Sequence, residues 1–145
     1  MNQSFDLHDR LAADSFWLGD FPLCRLLLMN DAHYPWFILV PRRPRVREIH
    51  ELASGDRSQL WRESDALARW LTAEFRPEKL NIAALGNIVP QLHLHHIARF
   101  STDPAWPAPI WGKLPPQPYP SNQLVTIRRK LGALAAAGFV LAVQH

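Results

Sequence analysis

The chain has 145 residues, 48% of them hydrophobic, with six Trp, seven Phe and one Cys. That length fits a single domain over residues 1–145, and the apolar share excludes a disordered segment. The net charge of +3 with neutral histidines does not call for a nucleic acid polymer as partner, and no apolar run approaches the roughly 18 residues of a membrane helix. The polar start, Met1–Arg10, lacks the apolar region of a signal peptide. Cys24 alone excludes an internal disulfide framework, as expected in a reducing cytoplasm. The basic residues cluster as Arg42, Arg43, Arg45 and Arg47 and as Arg128, Arg129 and Lys130. Either group can be a solvated face, or a funnel for an anionic small substrate.

In chain order, residues 15–19 and 22–29 read as strands around a turn at Asp20-Phe21, the second a continuous apolar run. Asn30-Asp31-Ala32-His33 is turn chemistry, and residues 34–40 form the next strand, ended by Pro41. Ser54-Gly55-Asp56 can start a helix with Leu60, Ser64, Leu67 and Leu71 on its inner side, ending near Phe75 before Pro77. Residues 79–85 and 91–99 are strands separated by a Gly86-Asn87 turn. Residues 101–120 are Pro-rich and irregular, with Trp106 and Trp111 to pin them down. A helix capped by Ser121 or Asn122 carries Leu124, Ile127, Leu131 and Leu134 to Gly138, followed by an apolar tail able to act as an edge strand. Strands, helix, then strands again predict an α+β fold: an antiparallel sheet of about five strands with helices on one side.

The chemistry concentrates in Gln91-Leu92-His93-Leu94-His95-His96-Ile97. On a strand, Gln91, His93 and His95 share one face while Leu92, Leu94 and His96 point the other way. Neutral imidazole is a nucleophile near pH 7, and flanking imidazoles and amides can hold phosphate oxygens. Gly86-Asn87 and the backbone N–H groups after it add donors. His96 on the opposite face reads as structural, as His8, His33, His50 and His145 read as surface groups.

This pattern resembles the histidine triad (HIT) family, whose motif is His-x-His-x-His-x-x with apolar x. Gly86-Asn87-Ile88-Val89 is similar to the family's Gly-Gln-x-Val. Asn81 matches an upstream Asn, allowing a one-residue shift. Asn30 falls in the nucleoside-contacting turn, and Trp36-Phe37-Ile38-Leu39-Val40-Pro41-Arg42 resembles the family's strand end. The resemblance covers residues 14–100, while the segment 101–120 and the helix 121–138 match a bacterial subgroup. Two positions depart from the pattern: Gln91 replaces the first triad histidine, and Ile88 stands where many members carry Ser.

The resemblance implies a HIT-like fold and attack on the α-phosphorus of a nucleotide ester, amidate or dinucleoside polyphosphate through a nucleotidyl-histidine. His93 would be the nucleophile, His95 a phosphate donor, and Gln91 a support whose carbonyl orients His93 Nδ1–H. Asn81 and Asn87 would contact the phosphate or leaving group, and Asn30 the ribose. A nucleotide would be the substrate, with no metal or cofactor, and the family's common homodimer is expected. Activity should fall as pH drops through about 6 to 7, where histidine ordinarily gains its proton. The alternatives are a nucleotide-binding module that has lost turnover, marked by Gln91, and a metal site built on His93, His95 and His96.

Overall fold

The computed structural model describes residues 4–143. Its frame is a six-stranded antiparallel sheet ordered β4-β5-β3-β2-β1-β6. The strands are β1 (Ser15–Asp20), β2 (Cys24–Met29), β3 (Trp36–Pro41), β4 (Lys79–Ala83), β5 (Leu94–Arg99) and β6 (Val140–Leu141). The apolar tail accounts for the strand beyond the expected five: Leu141 and Val140 pair with Gly19 and Asp20. Gly19 permits that approach, because a Cβ there would collide with the Val140 carbonyl and the Phe139 ring.

The helices are α1 (Asp9–Asp14), α2 (Ser54–Phe75) and α3 (Ser121–Lys130), the last running on as a 3-10 stretch, Leu131–Ala137, to Gly138 in the left-handed region. The expected cap of α3 differs: Pro120 occupies the N-cap position and no side chain caps the helix. Proline suits a helix entry because it has no N–H to leave unpaired and a fixed φ.

Alternation along the strands divides the core in two. Leu26, Leu28, Phe37, Leu39 and Leu94 meet Leu60, Leu67 and Leu71 of α2 and Ile127, Leu131 and Leu134 after it. Burying each such aliphatic side chain stabilises the fold by roughly 1.5–3 kcal/mol. Leu27, Trp36, Ile38, Val40 and Ile97 point the other way, towards Leu11 of α1 and Ala105 and Ile110 of the Pro-rich segment. The two long helices thus cover one face as expected, while the second face carries short α1 and irregular chain. Leu11 is the only buried residue of α1, so no periodic stripe announced that helix.

Two polar contacts fix α2 on the sheet. Glu63, 1% exposed, accepts from the N–H groups of Leu23 (2.8 Å) and Cys24 (2.7 Å) and from Gln59 Nε2. A buried carboxylate needs such donors to offset its desolvation. One residue on, Ser64 Oγ lies 2.7 Å from His96 Nε2.

Candidate active site

The site-bearing strand begins later than its sequence suggested. β5 runs from Leu94, and Gln91–His93 form an approach to it. Leu94 pairs with Leu39 on β3, so the register would set Leu92 opposite Pro41, which has no N–H to donate to the ladder. Leu92 N–H donates instead to Val46 O at 2.9 Å.

His93 and His95 nevertheless meet on the face away from α2, their ring centroids 4.9 Å apart. Both line a cleft of about 750 Å³. Its walls come from α1 (Arg10, Leu11, Asp14), the Asn30-Asp31 turn, the Leu85–Val89 loop and the Pro-rich segment (Ile110, Trp111, Pro116, Pro118). Gly86 turns that loop at φ 77°, a conformation glycine adopts without penalty.

His93 Nδ1 donates to the Gln91 carbonyl at 2.6 Å. That bond holds the proton on Nδ1 and leaves Nε2 with a free lone pair. Burial pushes the His93 pKa below the usual 6.5, and nearby His8 pushes the same way, against the raising effect of the Gln91 carbonyl. The neutral, attacking form therefore persists to lower pH than for free imidazole, and the expected fall in activity through pH 6 to 7 moves downward. For His95, burial is again the main cause, with His93 and His96 beside it, and its pKa drops to about 3. His95 can serve as a neutral donor, not as a cation. Its Nδ1 accepts from Trp36 Nε1 at 2.9 Å, and Trp111 stands edge-on to it at 5.1 Å.

The other residues singled out by sequence fall in different places. Asn87 and Asn30 line the cleft, although Asn30 Oδ1 is already engaged by the Tyr119 N–H at 2.8 Å. Gln91 enters through its backbone only. Its amide turns outward, Oε1 accepting from His8 N–H and Nε2 donating to Asp6 O, both at 2.9 Å. It lines a smaller recess, of about 220 Å³, with Asp6, His8, Arg45 and Arg47. Asn81 does not line the cleft: its Oδ1 accepts from Arg99 Nη1 at 2.8 Å. Phosphate contact is therefore withdrawn for Asn81, while the carbonyl of Gln91 stands where it was expected, against His93 Nδ1. His96 lies on the α2 face and is fully buried. Neither basic cluster lines the cleft, where Arg10 is the one Lys or Arg among the described residues. Arg42 binds backbone carbonyls of Phe21, Pro22 and Leu23, and Arg43 grips Asp56 with two nitrogens.

Sequence reasoning passed over Asp31, Trp36 and the Arg99-Asp103 pair. Asp31 is 4% exposed, and its Oδ1 takes the N–H groups of His33 and Gln117 and contacts His33 Nδ1. No described residue donates to its Oδ2, and the residue lines the cleft. Arg99 is bidentate to Asp103 and also donates to Ala108 O, while Asp103 accepts from the N–H groups of Phe100, Ala105 and Trp106. This knot fixes the chain leading to Ile110 and Trp111. A lone Asp in a turn motif gives no sign of such burial. The Asp four residues after Arg99 was visible in sequence, but only a folded loop shows it as a pair.

The HIT domain family model matches residues 10–102. This chain belongs to the HIT domain family. It is similar to a histidine triad protein from Marinobacter aquaeolei VT8, with 52% identity over 91% of this chain and 96% of that one, at a TM-score of 0.88. A histidine triad protein from Bradyrhizobium japonicum shares 43% identity over 89% and 96% of the two chains (TM-score 0.87). Another from Sinorhizobium meliloti 1021 shares 42% over 88% and 94% (TM-score 0.86). No curated protein matches. The Gln91 side chain is turned out of the cleft, and His93 and His95 are the imidazoles that line it among the described residues.

Proposed function

We propose that this HIT protein binds a nucleoside phosphate in the cleft and transfers the nucleotidyl group to His93. The observation that carries this reading is the His93 Nδ1–Gln91 O bond, which leaves Nε2 as the unprotonated atom of the ring beside a neutral donor, His95. His93 Nε2 attacks the α-phosphorus and forms a P–N bond. The leaving group departs with the electron pair of its bond to phosphorus. Water then attacks and forms a P–O bond, the P–N bond breaks with its electron pair returning to Nε2, and the proton lost by the water passes to solvent or to the departed leaving group. His95 and the backbone of the Gly86-Asn87 loop supply donors for the phosphate oxygens, with Asn87 at the leaving-group side. The ribose lies by the Asn30-Asp31 turn, with Asp31 Oδ2 as acceptor for a hydroxyl. The leaving group is a second nucleotide, an amine or another anion. A homodimer is part of this reading. It is supported by exposed Trp17, Trp61 and Trp106 and by β4, which pairs with β5 alone among the described strands. The lone buried thiol of Cys24 suits a reducing cytoplasm.

A second reading has its own support, the outward turn of Gln91: the cleft then binds nucleotides without turning them over. Among the described residues no group of three His, Cys, Asp or Glu side chains is arranged to hold an ion, so no specific observation favours the metal reading. Calorimetric titration with AMP, paired with turnover of an AMP ester or amidate, separates the readings. Binding with turnover is expected. Binding alone favours the second reading, and no binding at millimolar AMP removes both.

A further inference from the structure

We propose that Trp36 is a positioning residue that locks His95 in the Nε2–H tautomer, so that the cleft presents one imidazole as a lone pair and the other as a hydrogen-bond donor. An indole N–H only donates. At 2.9 Å from His95 Nδ1, it requires that nitrogen to be the acceptor, so the single proton of the neutral ring must sit on Nε2. His93 is held the opposite way, because a backbone carbonyl only accepts and its Nδ1 must donate. Two adjacent rings thus carry opposite tautomers, each imposed by a partner that cannot reverse its role. Burial of His95, which keeps it neutral, prevents protonation of both nitrogens from erasing the distinction.

The indole itself has little freedom. Trp36 is the first residue of β3, paired with Ile97 on β5, and is 9% exposed. Its ring contacts Trp111 edge-on at 6.1 Å and His95 at 5.7 Å. Phenylalanine at position 36 would keep most of this packing and lose only the donor. His95 would then be free to move its proton to Nδ1, leaving a lone pair at Nε2 facing the phosphate oxygens. The consequence for catalysis rests on the reading given above. The tautomer does not.

The test is a long-range proton–nitrogen correlation spectrum of the ¹⁵N-histidine-labelled protein without ligand, which distinguishes the two tautomers of each neutral histidine. The proposal expects Nε2–H for His95 and Nδ1–H for His93 in the wild type. In Trp36→Phe, His95 should become mixed or Nδ1–H and kcat should fall roughly tenfold, part of the effect of removing an oxyanion donor outright. Trp111→Phe, which alters the ring wall but not this bond, should keep His95 as Nε2–H. A wild-type spectrum with His95 as Nδ1–H overturns the proposal even if the variant does not fold. So does an unchanged His95 tautomer in Trp36→Phe, or a changed tautomer with unchanged kcat. If the wild type turns over no nucleotide ester, the transfer reading fails separately, and the tautomer signals still decide the role of Trp36.

Discussion

Replacing His96 with glutamine should flatten the acid side of the stability profile, because His96 is a buried imidazole held neutral by the fold. It is fully buried on the α2 face. Its Nδ1 donates to Leu94 O at 3.2 Å, and its Nε2 lies 2.7 Å from the Ser64 hydroxyl, which can donate to it. Both ring nitrogens are therefore served in the neutral form. Protonation would set a second ring N–H against the Ser64 hydroxyl in an apolar core. Burial accordingly pushes the pKa from 6.5 down to about 4. In the unfolded chain the same ring titrates near its ordinary 6.5. Below that pH the unfolded state binds a proton that the folded state refuses, so stability falls as pH falls, by about 1.4 kcal/mol per pH unit. The loss from this residue is about 2 kcal/mol by a pH of about 5, and it levels off at about 3 kcal/mol once pH passes the folded value of about 4. That is a large part of the 5–15 kcal/mol typical of a folded protein. His95 acts in the same direction, with a folded value of about 3. Urea unfolding at a series of pH values between about 7 and 4.5 measures the slope. His96→Gln lowers stability at neutral pH through lost packing, and its slope below pH 6.5 should be shallower than the wild type's by about one proton. An equal slope in the two proteins would show that His96 titrates normally, and would refute the reasoning.

Two further predictions concern the cleft. Gln91→His supplies a third imidazole beside His93 and His95 in the sequence but removes an amide that holds both Asp6 O and His8 N–H. It should cost about 1–2 kcal/mol at these partly solvated bonds and speed hydrogen exchange at His8 without raising kcat, since any residue at 91 keeps the carbonyl that orients His93; a clear rise in kcat would show that the imidazole itself is needed. The pKa of His93 is lowered mainly by burial, so the acid limb of kcat/KM against pH should lie below the ordinary 6.5, and a limb at or above that value would contradict the burial argument.

Much of this was readable from residues. The continuous apolar runs gave β2 and β3, the four-three-four spacing gave α2 from Ser54 to Phe75, and strand alternation put His95 and His96 on opposite faces, as β5 holds them. What failed to show depended on partners far away in sequence. The strand start at Leu94 is set by Pro41 on a neighbouring strand, not by anything near Gln91. Asn81 matched a motif position, yet Arg99, 18 residues on, takes its side-chain oxygen. The carbonyl of Gln91 could be expected against His93 from the strand alone; the outward turn of its amide depends on the segment around Asp6 and His8, some 80 residues away. Trp36 looked like one aromatic in an apolar strand, and its N–H acquired meaning only once His95 lay across from it. Asp31 was hidden in the same way, because its burial comes from the Pro-rich segment folding back to Gln117.

The most direct test of the central claim is to quench turnover of an α-phosphate-labelled AMP ester with denaturant at neutral or alkaline pH and to look for label bound to the protein. Nucleotidyl transfer predicts an acid-labile adduct on His93, absent in His93→Ala, together with loss of turnover in that variant while AMP still binds. Turnover that persists unchanged in His93→Ala, or label found on another residue, would contradict it.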